Sequence, residues 1–209
     1  MPKKKSYKFV NKNHTHRPNN FSFDSNNSNK FTALHQNIRG ISNKIDEFLI
    51  SLPPNAPQVI CLTEHHMKTE EIVNVNFGQY TLGCAYCRQT YKQGGVCIYI
   101  SKNISFKAIN LDQYIKEKDF EICALKICEV LNCFTVICIY RSPTGDFNYF
   151  LNYLESILHK TCKPSSHIIS CGDVNINYLD DNTRKHILDS LLASFGLFNT
   201  VKFPTRIFH

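Results

Sequence analysis

Apolar residues after position 30 alternate with polar ones or cluster in short runs, a pattern typical of a strand-rich domain. Strands are predicted at 31–36, 58–63, 79–84, 96–100, 104–109, 120–128, 134–140 and 167–170. Apolar residues at helical spacing predict three helices, over 41–52, 147–158 and 187–195. This order predicts antiparallel hairpins in the middle of the chain and two sheets with helices outside them.

The first 30 residues differ from the rest in composition and charge. They contain seven Lys or Arg and one Asp, whereas residues 31–209 contain 17 basic and 16 acidic side chains. A segment so poor in aliphatic residues cannot bury enough surface to fold, so we expect 1–30 to be a disordered basic tail and 31–209 the folded domain. The run 3–5 (KKK) is interpreted as a solvated charge run, with a nuclear signal or a phosphate-attracting arm as alternatives.

The chain has no apolar stretch of 18 residues and no apolar secretory segment at its start, so we expect a soluble intracellular protein without a membrane partner. Most of the ten cysteines fall in strand-like runs, where a reduced thiol acts as a small hydrophobic group. Cys84 and Cys87 form a close pair, but zinc would need two further ligands, for which His65 and His66 are the nearest candidates.

Polar side chains suited to phosphodiester chemistry lie just beyond two predicted strands. Asp173 and Asn175 follow the strand at 167–170, and Glu64 follows the strand at 58–63. Hydrolysis of a phosphodiester at neutral pH needs a divalent cation, a positioned water and donors to the developing charge. Two acidic strand ends with neighbouring asparagines therefore indicate metal-assisted phosphodiester chemistry.

Each residue of this set is given a role by its chemistry. We expect Glu64 to bind Mg²⁺, with Mn²⁺ as the alternative ion, and Asn37 to orient that ligand or the metal's water. Asp173 would align the attacking water, and Asn175 would donate its amide to the scissile phosphate.

Tyr140 ends another predicted strand and would offer its hydroxyl to the same phosphate, with Arg141 beside it as a charge clamp. Taken singly, all of these residues also suit ordinary roles as turn residues, strand ends or helix caps. Their joint presence at strand ends is what indicates a site.

Six motifs in order now define a resemblance: 36–40 (QNIRG), 62–64 (LTE), 94–96 (GGV), 140–143 (YRSP), 172–175 (GDVN) and 203–206 (FPTR). The series resembles the endonuclease/exonuclease/phosphatase superfamily, and more narrowly the apurinic-type endonuclease domain of non-LTR (LINE-like) retrotransposons. The resemblance implies a four-layer α/β sandwich, in which helices flank two mostly antiparallel sheets. It also implies a magnesium-dependent nuclease that nicks target DNA and exposes a 3′ hydroxyl to prime reverse transcription, with the reverse transcriptase elsewhere.

The resemblance also implies residue roles. The family's metal-site pair matches Asn37 and Glu64, and its phosphate-contacting tyrosine matches Tyr140. Its Asp-x-Asn motif matches Asp173 and Asn175, and a threonine near the site matches Thr205. Arg206, next to Thr205, is predicted to contact DNA.

The sequence departs from the family pattern at its end. The family has a further strand with an aspartate and a final Ser-Asp-His motif after the Pro-Thr-Arg motif, and the sequence stops at His209 without them. From this we expect a C-terminally incomplete sandwich that lacks its last strands and has little or no nuclease activity.

Three alternatives stay open from the sequence. The first is another phosphoesterase of the same fold, because the metal residues do not separate these substrates. The second is a non-catalytic nucleic-acid-binding remnant held by the basic tail together with Arg39, Arg141 and Arg206. The third is a fragment without a cellular role.

Overall fold

The computed structural model describes residues 31–128, 133–163, 166–178 and 180–200. The predicted basic tail, Thr205 and Arg206 lie outside these ranges. The prediction that the last strands are missing after Arg206 also concerns a part of the chain outside them. Among the described residues, no helix is long and apolar enough to cross a membrane.

The strands form two four-stranded sheets. The first contains β1 (Ala33–Asn37), β2 (Val59–Thr63), β3 (Tyr80–Tyr86) and β4 (Val96–Ser101), in the order β1-β2-β4-β3. The second contains β5 (Phe106–Ile109), β6 (Glu121–Cys128), β7 (Cys133–Tyr140) and β8 (Ser166–Asp173), in the order β5-β6-β7-β8.

Each sheet has one parallel pair and two antiparallel pairs. The parallel pairs are β1 with β2 and β7 with β8, and all the other neighbours run antiparallel. The two sheets therefore repeat one plan, in which the outer strand of each parallel pair lies at an edge of its sheet. The predicted hairpins and the mostly antiparallel character of both sheets are confirmed.

The four helices cover the outer faces of the sheets. They are α1 (Ile45–Ile50), α2 (Thr69–Ile72), α3 (Phe147–Thr161) and α4 (Thr183–Ser194). Phe48 of α1 and Ile72 of α2 pack on the first sheet, whereas Leu154 of α3 and Leu188 of α4 pack on the second. A separate apolar layer fills the space between the sheets. The predicted four-layer α/β sandwich is confirmed.

Cysteines form much of the middle of the inter-sheet layer. Cys61, Cys123, Cys138 and Cys171 lie there, all nearly or fully buried. All ten cysteines of the chain are free thiols. Burial raises the pKa of Cys123 and of Cys138 well above the usual range, so these thiols stay protonated and act as small hydrophobic groups, as the sequence predicted.

The first and last helices begin at positions different from those predicted. The helix predicted from residue 41 begins at Ile45, because the amide of Ile41 donates to the carbonyl of His65 (3.2 Å) and so belongs to the loop after β1. The last helix begins at Thr183, before its first apolar residue, because Asn182 caps it by accepting from the amide of Lys185 (2.9 Å). The single-turn α2 and a 3₁₀ helix at Asp112–Tyr114 were not predicted.

Candidate active site

The carboxyl ends of the two parallel pairs bring four of the predicted site residues together. Asn37 lies opposite Thr63 in the β1–β2 register, so its side chain is beside Glu64, the next residue of the chain. Tyr140 lies opposite Asp173 in the β7–β8 register. Because the strands of a parallel pair end at the same edge, each sheet supplies one carboxylate and one neutral polar group.

Asn37 joins the two sheets at this edge. Its amide nitrogen donates to Glu64 Oε1 at 2.7 Å and to Asp173 Oδ2 at 2.9 Å. Both hydrogens of the amide are used in this way, so one uncharged side chain keeps two carboxylates close together. The remaining atom, Asn37 Oδ1, is buried and accepts no hydrogen bond from the described residues.

A strained backbone holds Glu64 in place. Its φ is +56°, a left-handed conformation that is uncommon for residues other than glycine. The Glu64 amide donates to the carbonyl of Gly95 (2.8 Å), and its carbonyl accepts from the amide of Gly40 (2.8 Å). Strain of this kind persists only where surrounding contacts fix it, and it is frequent at functional sites.

The loop after β8 fixes Asp173 through Asn175. The Asn175 amide donates to Asp173 Oδ1 at 3.0 Å, so both oxygens of this carboxylate accept hydrogen bonds. The Asn175 side chain donates from its nitrogen to the carbonyl of Arg141 at 2.7 Å. An amide nitrogen has two N–H groups, so a second one is left for an incoming phosphate oxygen.

Arg141 occupies a position different from the one expected of a phosphate clamp. Its side chain is fully buried and donates to the carbonyls of Val174 (2.8 Å), Gly145 (2.9 Å) and Asn175 (2.9 Å). Because these carbonyls take its donors, the guanidinium holds the 173–175 loop in shape and is not presented to a substrate. The sequence could not show this, since two of the three partners of Arg141 are backbone carbonyls of a loop more than 30 residues away.

Tyr140 lies beside Glu64. Burial, and after it the negative charge of Glu64, raises the pKa of Tyr140, so the phenol keeps its proton at neutral pH. The site therefore has a neutral hydroxyl donor next to a carboxylate.

A buried ion pair that sequence reasoning missed supports these residues. Arg88 Nε donates to Glu121 Oε1 (2.5 Å), and Nη2 of Arg88 donates to Ser142 Oγ (3.2 Å). The other oxygen of Glu121 accepts from the amide of Gly95 (2.7 Å), and the carbonyl of Gly95 accepts from the amide of Glu64. A carboxylate at the start of a mostly apolar strand was the available signal, because buried carboxylates are rarely unpaired.

Three histidines lie close to the strand ends. Burial lowers the pKa of His35 and of His65 to about 4. The pKa of His66 is also lowered, first by burial, although the charge of Glu64 opposes this effect and the charges of Lys44 and Arg88 assist it.

The described residues contain no group of three or more His, Cys, Asp or Glu side chains arranged to hold a metal ion. Cys84 contributes to the inter-sheet layer and Cys87 to the layer under α1, so the pair faces opposite sides of the first sheet. The donors suited to a hard cation are the carboxylate of Glu64 and the unpartnered oxygen of Asn37, which are the oxygen ligands that such ions prefer.

A four-layer sandwich with acidic strand ends at the seam of its two sheets is the architecture of a class of phosphate-ester hydrolases. Residues 22–207 match the model of the Endonuclease/Exonuclease/phosphatase family, so the chain belongs to that family, whose members are nucleases and phosphodiesterases.

Several solved structures share the fold. The endonuclease domain of TRAS1, a telomere-specific non-LTR retrotransposon, aligns with a TM-score of 0.61 and 16% identity, over 79% of this chain and 72% of that one. TDP2 of D. rerio, complexed with a single-strand DNA product, gives 0.52 and 13%, over 79% and 64%. The human Nocturnin catalytic domain with bound sulfate gives 0.50 and 17%, over 77% and 69%. At these identities the likeness to solved structures shows the fold alone. A comparison with curated proteins found no match to the chain.

Proposed function

We propose that the chain is a divalent-cation-dependent DNA endonuclease of the kind found in non-LTR retrotransposons. The observation that carries this proposal is the amide of Asn37, which holds Glu64 and Asp173 together across the two sheets. Two carboxyl groups kept close together beside a neutral phenol suit the hydrolysis of a phosphodiester.

The cation would be held by Glu64, with Mg²⁺ or Mn²⁺ as the ion. Asn37 orients the Glu64 carboxylate from one side, and its unpartnered oxygen lies in the same part of the site. When bound, a divalent cation neutralises charge on the phosphate and lowers the cost of developing negative charge.

The other residues would act on the water and on the phosphate. Asp173 is fixed by Asn37 and Asn175, so it can align a water molecule and accept its proton as the oxygen attacks phosphorus. Asn175 and Tyr140 would donate to the phosphate oxygens as negative charge grows on them. The bond to the 3′ oxygen breaks, and protonation of that oxygen leaves a 3′ hydroxyl and a 5′ phosphate.

DNA is favoured as the substrate by two observations. The fold is similar to the endonuclease domain of a retrotransposon and to a TDP2 solved with DNA. Residues 1–30 also carry seven basic side chains and one acidic one, which favours a polyanion through counterion release. A role in priming would require a reverse transcriptase supplied elsewhere.

A supercoiled-plasmid nicking assay tests the proposal, with the protein in excess and with Mg²⁺ or Mn²⁺ present. The sequence predicts little nuclease activity, so we expect open-circular product to appear slowly; EDTA should abolish it, and Asp173→Asn and Glu64→Gln should each reduce it by about 100-fold or more. His186→Gln, a change at an exposed position of α4, is the matched control and should leave the rate unchanged. Absence of nicking by the unaltered chain, or nicking that persists in Asp173→Asn, would contradict the proposal.

A further inference from the structure

The loop after β2 presents two neighbouring side chains to the same region. Glu64 and His66 have φ values of +56° and +61°, and their amides donate to the carbonyls of Gly95 (2.8 Å) and Gly94 (2.9 Å). His65 between them is turned inward, where Nδ1 accepts from the amide of Met67 (3.0 Å). Glu64 and His66 therefore lie side by side, separated by a residue that belongs to the core.

The two oxygens of Glu64 have different surroundings. Oε1 accepts from Asn37, whereas Oε2 lies 3.7 Å from Nε2 of His66. That separation exceeds the range of about 2.7–3.2 Å for a hydrogen bond between nitrogen and oxygen. Two donors that share one cation at about 2.1 Å are about 3.0 Å apart at a right angle and about 4.2 Å apart when they are opposite, so 3.7 Å lies within the span of a shared ion.

The imidazole of His66 is held in this position without a hydrogen bond to Nε2. This nitrogen is buried and has no hydrogen-bond partner among the described residues. The other face of the ring packs on Gly40, where a Cβ atom would come within 3.3 Å of His66 Nδ1. The side chains of Glu64 and His66 are 18% and 24% exposed, so the pair lies close to solvent although Nε2 itself is buried.

We propose that His66 Nε2 is a second protein ligand of the cation that Glu64 binds, which gives the site a mixed carboxylate and imidazole donor set. The inference rests on the proposed function for its cation and adds the identity of the second ligand. Its ligand class is a divalent transition-metal ion, because Mg²⁺ prefers oxygen donors whereas first-row transition metals accept imidazole nitrogen as well, Mn²⁺ least strongly and the later metals more strongly.

The consequence is a cation preference set by one side chain. Removal of His66 takes away a nitrogen donor, so we expect it to weaken Mn²⁺ binding about 10-fold or more and to change Mg²⁺ binding much less. Asn37 does not select between these ions, since its oxygen and its hydrogen bonds to Glu64 are the same for both.

The test is electron spin echo envelope modulation on the full chain with one equivalent of Mn²⁺. We expect modulation from one directly bound imidazole ¹⁴N, replaced by the ¹⁵N pattern when histidine is labelled, and lost in His66→Gln. His186→Gln is the matched control, because His186 also pairs with a carboxylate, that of Asp181, but at an exposed position. Mn²⁺ and Mg²⁺ dissociation constants for the same variants give the second readout.

Failure of this inference differs from failure of the proposed function. If Glu64→Gln abolishes Mn²⁺ binding but the unaltered chain shows no ¹⁴N modulation, His66 is only an ion-pair partner of Glu64 and the inference is overturned, while the cation site stands. If the unaltered chain binds no Mn²⁺, or Glu64→Gln leaves its affinity unchanged, the cation site itself is refuted. If His66→Gln folds poorly, absence of ¹⁴N modulation in the unaltered chain still overturns the inference.

Discussion

Asn37 makes the close approach of two carboxylates tolerable. Its amide donates to both Glu64 and Asp173, and it adds no charge of its own. Without these two donors, the two carboxyl groups would approach each other without a shared hydrogen-bond partner. One neutral side chain thus sets the electrostatics of the whole edge.

The variant Asn37→Asp tests this role. It removes both donations and adds a third carboxylate, so we expect the metal-free protein to lose about 1–3 kcal/mol of its free energy of unfolding. A bound divalent cation should restore much of that loss. The measurement is the difference between the Tm of Asn37→Asp in EDTA and its Tm in excess Mn²⁺. Asn37→Ala is the control: it loses the hydrogen bonds without adding charge, and its Tm should respond less to the ion. Equal responses of the two variants would count against the electrostatic explanation.

Gly172 illustrates a second constraint, which is one of space. Its φ is +152°, and a Cβ atom there would lie 1.9 Å from the carbonyl oxygen of Ile139. Gly172→Ala should therefore cost about 3 kcal/mol or more, from strain and steric overlap together. Gly78 also has a positive φ (+61°), but its nearest contact would be 3.5 Å away, so Gly78→Ala should cost only about 1 kcal/mol. Urea unfolding of both variants measures the difference, and similar losses would refute the steric account.

Residues at strand ends were the part of the site that the sequence could predict. Glu64 follows β2 directly and Asp173 is the last residue of β8, so their location needed only the strand pattern. The positions of Arg141 and His66 could not be predicted in this way. They depend on loop backbone conformations and on carbonyl partners distant in sequence, which side-chain patterns do not encode.

At the scale of elements, the ion pair of Arg88 and Glu121 connects the two sheets. Arg88 follows β3 in the first sheet, and Glu121 is the first residue of β6 in the second. Burial raises the pKa of Glu121 even with Arg88 beside it, which shows how costly this buried charge is.

Removing one partner of this pair should be far more harmful than removing both. Arg88→Ala leaves a carboxylate buried without its counter-charge and should cost about 3–5 kcal/mol, whereas Arg88→Met combined with Glu121→Leu should recover most of that loss. Lys116→Ala is the control, because its pair with Asp119 is exposed on the lysine side and should leave the Tm almost unchanged. Chemical denaturation gives the free energy of unfolding of the three variants. A double variant as unstable as Arg88→Ala would contradict the expectation.

Helix boundaries were predicted less well than strands, for a physical reason. A strand is defined by its own alternation of side chains, whereas a helix begins where a cap or a backbone contact allows it. Asn182 extends α4 beyond its apolar residues, and the contact of Ile41 with His65 shortens α1. Such contacts are not visible in the apolar spacing.

For the molecule as a whole, the two buried histidines predict acid sensitivity. The pKa of His35 and of His65 is about 4 in the folded state, against an ordinary value of about 6.5 in the unfolded chain. Below pH 6.5 the unfolded chain therefore takes up protons that the folded protein does not. The free energy of unfolding should fall as the pH is lowered from 6.5 towards 4.

The expected loss between pH 6.5 and pH 5 is about 2 kcal/mol for each histidine. Urea unfolding in the presence of EDTA measures it without a contribution from bound ions. His65→Gln should reduce the slope of stability against pH by about half, whereas His186→Gln, on the surface, should not change it. A stability that is flat over this range would refute the assignment of buried neutral histidines.

The sequence predicted the architecture because each layer has its own pattern. Strands buried on both faces, such as β2, have continuous runs of apolar residues in the sequence. Helices covered on one face, such as α3, have apolar residues at helical spacing. What the sequence did not show was the symmetry between the sheets, since that depends on which strands become neighbours.

The division of the site between two similarly built sheets has a further consequence. The chain crosses from the first sheet to the second once, between Ser101 and Phe106, with Asn37 and Glu64 before the crossing and Tyr140 and Asp173 after it. A cut at this crossing would yield two fragments, each with an intact sheet and half of the chemistry. Because the apolar layer between the sheets would drive their reassociation, the fragments would form a complementation pair, in which recovery of the proposed nicking activity reports that the two halves have met.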